Sequence, residues 1–413
     1  MLKSVISASI GNVLEWYDYT LYAYFATVIT VLFFPFGDQY TAALLTFATF
    51  SVGLIARPIG GLIFGYIGDR YSRKQSLLIS VLLMSIPTLC IGLLPTYKDI
   101  GIFAPILLII CRIVQGIALG GEFGSSCVYL YESVPLVRRG FFGTLALTSV
   151  GIGLMLSSCT ILLIEHFFSS EQIFLFAWRI PFLLSATGAL LSLCMRRMLI
   201  ESKDFERKKL DNDLVKNPFF ELMTNYKKKI FFLFSVFLTT QISFFIVFIY
   251  GKNMMINHLG FENLTASKFN LLIVSSYTLS TLFAGYLSDI FNKKIMILIG
   301  IVGIFISSVP FVFALQNGDH KLIFIVSVLL GIFIGISEGV LNPLVAESFP
   351  VKIRTTAVSF CWNFSSVIFG GSAPLIVMSL IRFTGNIYYV SIYLMAACFV
   401  SFISISRNYF RNF

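Results

Sequence analysis

Residues 60–74 read GGLIFGYIGDRYSRK, a glycine-rich apolar run that ends in a charged turn. Long apolar stretches lie on both sides of this turn, and about 20 such residues are enough for a helix to cross a bilayer. The turn holds Asp69 together with Arg70, Arg73 and Lys74, so an acid and its cations stand where two helices meet. This pattern predicts two membrane-spanning helices joined at one membrane surface.

The composition of the whole chain agrees with a membrane protein. Of the 413 residues, 57% are hydrophobic and only 12% are charged, whereas about a quarter are charged in soluble proteins. The mean hydropathy is +0.88. Twelve helices would use about 240 to 260 residues, which leaves no room for a large soluble domain. We therefore predict the lipid bilayer as a partner and, despite the net charge of +10, no nucleic acid.

We predict an all-α polytopic membrane protein with twelve transmembrane helices in two six-helix bundles. The predicted helices cover residues 4–34, 41–67, 76–95, 102–131, 140–164, 177–197, 229–256, 268–288, 295–315, 322–346, 355–381 and 386–406. The predicted domains are an N-terminal bundle over 1–197, a cytoplasmic linker over 198–228 and a C-terminal bundle over 229–413.

Lysine and arginine are distributed unevenly over the predicted loops. The segments predicted to be inside, among them a polar stretch from Arg196 to Lys229, hold 22 of the 30 cationic residues. Cytoplasmic loops of membrane proteins carry such an excess. We therefore expect both termini to lie in the cytoplasm.

Cysteine and histidine usage argues against an enzyme. The 7 cysteines are scattered singly through predicted helices without a C-x-x-C pair, and the 3 histidines fall in predicted outside loops. A membrane metalloenzyme would need histidine or carboxylate clusters within its spans. We predict no enzymatic activity, no metal site and no cofactor.

The two halves of the sequence resemble each other at constant spacing, which is typical of transporters built by internal duplication. The turn GYIGDRYSRK at 65–74 is matched by GYLSDIFNKK at 285–294. The pattern E-S-x-P-x-x-x-R occurs at 132–139 and again at 347–354. Glycines four residues apart precede each copy of the second pattern, and such glycines let two helices approach closely.

The charged residues of these repeated motifs are predicted to form a gate at the cytoplasmic ends of the two halves. Asp69 and Asp289 each precede a cation by four residues and can pair with it or with the positive N-terminus of a neighbouring helix. The predicted gate residues are Asp69, Arg73, Lys74, Glu132, Arg139, Asp289, Lys293, Lys294, Glu347 and Arg354. The alternative is that these charges only set the topology.

The motifs resemble those of a known family. GGLIFGYIGDRYSRK resembles the loop between helices two and three of the major facilitator superfamily, and RIVQGIALGGE at 112–122 resembles its fourth helix. GNVLEWYDYTLY at 11–22, ARPIGG at 56–61, GGEFG at 120–124 and WRIPF at 178–182 resemble its metabolite:proton symporter family, which includes carriers for proline and glycine betaine, 2-oxoglutarate and citrate. The resemblance implies a carrier with a central cavity that works by alternating access in a bacterial inner (plasma) membrane.

Charged residues in the middle of a membrane are costly and are therefore expected to be functional. Glu15 and Asp18 lie three residues apart on one face of the first helix, and Arg112 shares a stripe of the fourth helix with Glu122. We predict Asp18, Glu15 and Glu122 as proton carriers, with Arg112 coupled to them. The alternative is that these residues form permanent ion pairs that orient the helices.

The predicted solute site combines cations, aromatic rings and polar groups. Arg57 and Arg112 can hold a carboxylate, and rings can hold a quaternary ammonium group by cation–π attraction. The predicted substrate-binding residues are Arg57, Arg112, Tyr22, Tyr277, Glu338, Asn342, Trp362 and Asn363. We predict that the protein imports a small zwitterion, such as proline or glycine betaine, together with protons, and that it functions as a monomer.

Two other functions remain open at this point. The pair of Arg57 and Arg112, and the stretch IFGGSAP at 368–374, which resembles the organic-acid members, favour a di- or tricarboxylate such as 2-oxoglutarate or citrate. The alternative from another class is a membrane sensor that keeps the fold but no longer transports. The intact acids of both repeats argue against a sensor.

Overall fold

The computed structural model describes residues 2–35, 39–211 and 213–409, and every regular element in this part of the chain is helical. We label its long helices α1 to α12 in chain order. The first half contains α1 (Leu2–Tyr24 and Ala26–Phe33), α2 (Gln39–Arg70), α3 (Arg73–Leu93), α4 (Phe103–Glu132), α5 (Arg139–Phe167) and α6 (Arg179–Arg197). The second half contains α7 (Lys227–Phe244, Phe245–Tyr250 and Gly251–Leu259), α8 (Asn263–Leu287), α9 (Lys293–Asn317), α10 (His320–Ser348), α11 (Arg354–Ser365, Ser366–Gly371 and Ala373–Thr384) and α12 (Tyr389–Tyr409).

These helices are those of a multi-pass membrane protein. Within the described residues, 10 helices are long and apolar enough to cross a membrane, and α6 with the short segment before it, bent by 43°, makes an eleventh. The remaining long helix, α1, contains the charged side chains of Glu15 and Asp18. The all-α polytopic fold predicted from the sequence is confirmed.

Three helices that the sequence predicts as continuous rods are irregular. α1 is interrupted at Phe25, while α7 and α11 pass through π-helical turns at Phe245–Tyr250 and Ser366–Gly371. A π turn inserts a residue into the helical ladder and is frequent at functional sites. The interruptions divide α1, α7 and α11 into shorter regular segments.

Glycines determine how closely α2 packs against α4. A Cβ atom on Gly116 would overlap the backbone carbonyl of Gly53, and one on Gly120 would overlap the carbonyl of Arg57. The equivalent Gly331 and Gly335 on α10 face the α8 backbone in the same way. The predicted role of the repeated glycines therefore agrees with the packing, because each removes a side chain where two backbones meet.

The two halves contact each other through equivalent helices. α2 of the first half packs against α11 of the second, and α8 of the second half packs against α5 of the first. Two short helices, Lys203–Leu210 and Pro218–Asn225, lie in the segment that joins the halves. The reciprocal pairs bring the repeated motifs of each half next to the other half.

We expect Gly120→Ala to lower the melting temperature of the purified protein in detergent. The new methyl group meets a rigid backbone carbonyl of α2, and overpacking of this kind costs about 1–3 kcal/mol. Gly251→Ala is the matched control, because a Cβ atom there lies 3.5 Å from the nearest carbonyl oxygen, an ordinary contact. Equal melting temperatures for the two variants would contradict this account of the α2–α4 contact.

Candidate functional site

We call the end of the bundle that carries Asp69, Arg73, Glu132, Asp289 and Arg354 the motif end. Here Asp69, at the end of α2, accepts hydrogen bonds from the backbone N–H groups of Thr355 at 3.0 Å and Thr356 at 2.8 Å. Both N–H groups lie in the first turn of α11, where a helix carries partial positive charge. An acid of the first half therefore caps a helix of the second half.

Asp289 makes the reciprocal contact from the second half. Its carboxylate accepts hydrogen bonds from the backbone N–H groups of Gly140 at 2.6 Å and Phe141 at 3.0 Å, at the start of α5. A Cβ atom on Gly140 would overlap the carboxylate, so the approach requires glycine. The two equivalent aspartates thus connect the halves by the same physical device.

Glu132 binds two arginines, one from each half. Its carboxylate lies 3.3 Å from Nε of Arg73 and 2.9 Å from Nη1 of Arg354. Ser202 donates a further hydrogen bond to it at 2.7 Å, and Arg73 also pairs with Asp69 at 2.5 Å. A buried carboxylate is stable only with such a set of partners. The cluster therefore joins the two halves at the motif end.

The remaining predicted gate residues lie nearer the surface of the motif end. Arg139 pairs with Asp204 at 2.6 Å, and Lys293 pairs with the half-exposed Glu347 at 2.7 Å. Lys74 donates to the carbonyl of Arg197 at 2.9 Å. Lys294 lies in the first turn of α9, where its backbone N–H bonds the Asn292 side chain. The motif end is therefore asymmetric, with the buried ion cluster on one side only.

Part of the segment that joins the halves packs onto the motif end. Phe205 is 1% exposed, and its ring centroid lies 4.9 Å from the guanidinium carbon of Arg73. Ser202 contacts Glu132, and Glu201 accepts a hydrogen bond from Ser72. This stretch is thus in contact with the cluster rather than a solvated tether.

The halves also touch at the opposite end. Glu165 on α5 accepts a hydrogen bond from Lys252 on α7 at 3.2 Å and one from Ser267 on α8 at 3.3 Å. Asn270 on α8 donates to the hydroxyl of Tyr24 on α1 at 2.7 Å. The described residues therefore make contacts between the halves at both ends of the bundle.

Arg57 lies between these two ends, at the interface of the halves. It is fully buried, with its guanidinium carbon 5.3 Å from the Trp16 ring centroid and 5.8 Å from that of Tyr19. One nitrogen donates to Ser366, in the π turn of α11, at 3.4 Å. Among the described residues, Nε and Nη2 of Arg57 make no hydrogen bond of ordinary geometry, although the Tyr19 hydroxyl interacts with the guanidinium. Two of its three nitrogens therefore retain capacity for a ligand.

Aromatic rings continue from Arg57 into the second half. Trp16 on α1 packs edge-on against Phe244 of α7, with ring centroids 5.6 Å apart. Phe244 and Phe248 lie 6.1 Å and 4.7 Å from the ring of Tyr277 on α8. We call Trp16, Phe244, Phe248 and Tyr277 the ring cluster. It lines the interface between the halves beside Arg57.

A chain of hydrogen bonds connects Asp18 with Arg112. Arg112 donates to Gln115 at 2.9 Å, Gln115 donates to Thr88 at 2.9 Å, and Thr88 donates to Asp18 at 2.9 Å. The guanidinium carbon of Arg112 also lies 4.2 Å from the ring centroid of Tyr22. Three helices, α1, α3 and α4, thus share one polar network inside the first half.

Glu15 lies beside this network. Within the described residues neither of its carboxylate oxygens accepts a hydrogen bond, although Arg57 and Arg196 are within electrostatic range. Glu15 and Asp18 line a cavity of about 10 Å³ between α1, α3 and α6. This volume is close to the minimum that holds one water molecule. A single water would fit between the two carboxylates.

Glu122 is paired with Arg196, not with Arg112. Both carboxylate oxygens of Glu122 accept hydrogen bonds from the Arg196 guanidinium. The Ser80 hydroxyl also donates to the Glu122 carboxylate, at 2.5 Å. The sequence predicts Arg196 among the cytoplasmic cations, but the structure places it fully buried on α6. A Cβ atom on Gly11 would overlap this guanidinium, so glycine on α1 makes the space for it.

The predicted residues of the second half fall into two groups. Tyr277 donates to Glu338 at 2.7 Å, and Asn342 lies buried one turn further along α10. Trp362 instead stacks on Phe123 of α4, with centroids 4.0 Å apart, and Asn363 donates to the carbonyl of Gly120 at 2.7 Å. Tyr277 belongs to the ring cluster and Glu338 is bonded to it, whereas Trp362 and Asn363 join α11 to α4.

Several residues of the site were missed by sequence reasoning. Trp16 stands next to Glu15 in the first-helix motif, so its position in the sequence indicates that it belongs to the site. Phe244 and Phe248 are two of 44 phenylalanines, and nothing in the sequence distinguishes them from rings that face lipid. In the described part of the chain, no group of three histidine, cysteine or acidic side chains could hold a metal ion.

Two helical halves that meet at both ends around buried charges define a polytopic membrane carrier. The Major Facilitator Superfamily model matches residues 10–374 and again residues 265–410. The chain belongs to this superfamily.

Individual relatives agree with this assignment. The chain is 30% identical over 415 residues to the proline/betaine transporter of Escherichia coli (strain K12), which covers 97% of this chain and 82% of that protein. It is 33% identical over 411 residues to a putative proline/betaine transporter of Staphylococcus aureus (strain COL), with 98% and 87% covered. Among solved structures, the proton:xylose symporter XylE bound to 6-bromo-6-deoxy-D-glucose aligns with a TM-score of 0.82 at 17% identity, over 99% of this chain and 95% of that one. The expected family, fold class and multi-pass membrane location are confirmed.

We expect Glu122→Gln and Arg196→Met each to destabilise the purified protein strongly, because each leaves one buried charge without its partner. Breaking a buried pair in this way costs about 3–5 kcal/mol. The double variant leaves neither charge and should unfold at a higher temperature than either single variant. Thermal unfolding in detergent measures this. Additive losses in the double variant would show that the pair is not coupled.

Proposed function

We propose that the protein imports a zwitterion of the proline or glycine betaine type together with protons, by alternating access. The relatives named as proline/betaine transporters support the solute class, since they align over nearly the whole chain. The geometry that supports it best is Arg57, a fully buried guanidinium with two open nitrogens at the interface of the halves. Arginine in such a position binds a carboxylate through parallel hydrogen bonds.

A di- or tricarboxylate carrier is the second candidate, and it would need more than one available cation. Arg112 donates to Gln115 and lies over the rings of Tyr22 and Tyr19, so it is already engaged within the first half. Of these two arginines, Arg57 is then the one that can bind the solute, and it can bind a single carboxylate. A solute with one carboxylate and an apolar or cationic remainder fits Arg57 and the ring cluster better than citrate does.

Proton coupling is assigned to the network of Asp18. This carboxylate is buried on α1, and the hydrogen-bonded chain through Thr88 and Gln115 links it to Arg112. A shift of Arg112 between conformations would change the electrostatic environment of Asp18 and so bind or release a proton. Glu15, across the small cavity, is the second carrier in this proposal. Glu122 is a weaker candidate for a proton carrier, because its carboxylate is paired with Arg196.

The motif end is assigned to the cytoplasm, since the cationic segments 68–75, 132–139 and 347–354 belong to it. Both termini would then lie inside, in the inner or plasma membrane of the cell. The cluster around Glu132 would open when the solute leaves to the cytoplasm, and Glu165 with Lys252 would separate when the solute enters. One chain contains both halves and the interface between them, so a monomer is sufficient, and no catalytic step is needed.

Uptake into proteoliposomes tests the proposed function. We expect an imposed pH gradient to drive accumulation of radiolabelled proline and glycine betaine, and a protonophore to abolish it. Excess 2-oxoglutarate or citrate should not compete. Competition by these acids alone would establish the dicarboxylate candidate. Absence of any solute flux, with the protein folded, would favour the sensor.

We expect Asp18→Asn to lose proton-driven accumulation by at least about tenfold while solute exchange between the two sides of the membrane persists. The amide keeps the size of the side chain but cannot carry the proton. Asp99→Asn is the matched control, because Asp99 is an exposed loop residue that caps the turn at Thr96. Undiminished accumulation by the Asp18 variant would exclude Asp18 as an essential proton carrier.

A further inference from the structure

Glu338 is a buried acid that the proton network does not use. It is 1% exposed on α10, where Tyr277 donates a hydrogen bond to one of its carboxylate oxygens at 2.7 Å. In the described part of the chain, the other oxygen accepts no hydrogen bond. Tyr277 could donate the same hydrogen bond to an uncharged oxygen. The hydrogen bond therefore does not explain why an acidic residue, which is costly in the membrane, occupies this position.

The charges on either side of the ring cluster are opposite, and neither forms an ion pair with a described residue, although Glu15 lies within electrostatic range of Arg57. Arg57 contacts Trp16 at one side, and Glu338 bonds Tyr277 at the other. Between them the rings of Trp16, Phe244 and Tyr277 follow one another at centroid distances of 5.6 Å and 6.1 Å. Glu122, in contrast, is a buried acid whose two carboxylate oxygens both accept hydrogen bonds from Arg196.

A zwitterion carries the charges complementary to both Arg57 and Glu338. Its carboxylate would bind Arg57, and its ammonium group would lie against the ring cluster, where cation–π attraction adds to the attraction of a nearby carboxylate. A buried charge without a counter-charge is costly, so a ligand that supplies it gains affinity, whereas a ligand that does not is rejected.

We propose that Glu338 binds the positive headgroup of the solute and makes the carrier selective for ammonium and quaternary ammonium compounds over neutral or dianionic ones. This proposal rests on the proposed function and identifies the specificity-determining residue of that site. Under this proposal the second half contributes a charged residue to solute recognition, in addition to shaping the pocket.

Selectivity between glycine betaine and tert-butylacetate tests the proposal, because these compounds have the same shape and carboxylate and differ only in the positive charge. The measured quantity is the ratio of their inhibition constants against radiolabelled glycine betaine exchange in proteoliposomes. We expect Glu338→Gln to lower the ratio at least about tenfold, and Glu338→Asp to retain most of it. Ser337→Ala is the control, since the Ser337 hydroxyl bonds only the backbone of its own helix, at the Ile334 carbonyl.

The pair Glu338→Gln and Glu338→Asp separates charge from size. The amide keeps the length of the side chain without its charge, whereas aspartate keeps the charge on a shorter side chain. Equal losses in the two variants, or an unchanged ratio in Glu338→Gln, would overturn the proposal. So would loss of pH-driven accumulation with an unchanged ratio, which would make Glu338 a proton carrier. If the wild type neither binds nor transports glycine betaine, the proposed function itself fails.

Discussion

A charge buried in a protein is costly without a partner, and this cost decides how the two halves are held together at the motif end. Glu132 is neutralised by Arg73 of its own half and by Arg354 of the other, while Asp69 and Asp289 cap helices across the interface. None of these partners can be withdrawn from a dry interface at low cost. The contacts between the halves at the motif end are therefore electrostatic, and they can separate at low cost only when water or another polar group takes the place of each departing partner.

The duplication supplies equivalent residues, but the two copies use them differently. Arg354 reaches the buried Glu132, whereas its counterpart Arg139 pairs with Asp204 of the connecting segment, and Glu347 stays near the surface. The connecting segment, which follows only the first half, supplies Ser202 to Glu132 and Asp204 to Arg139. These contacts, made by a segment that occurs once in the chain, contribute to the asymmetry of the cluster.

The sequence predicts the features that depend on local pattern, and not those that depend on which way a helix faces. The lengths of the apolar stretches predict the long helices, and the repeated aspartates and glycines predict the contacts at the motif end. Arg196 resembles any cation at a helix terminus, and only the space left by Gly11 turns it inward to Glu122. The π turns in α7 and α11 and the choice of Phe244 for the ring cluster likewise arise from tertiary packing, which leaves no local signal.

Helix α1 connects the two functions assigned to the interior. Asp18 faces the polar network of the first half, while Trp16 belongs to the ring cluster and lies against Arg57. Both side chains project from the same stretch of α1, so under the proposed function a change of partner at Asp18 would also shift the ring that contacts the solute. Under the proposed function, the solute neutralises Arg57 and Glu338 and so stabilises the closed interface, and the proton adjusts the same helix from its other face. Coupling between solute and proton then requires no direct contact between them, only a shared helix whose position both of them bias.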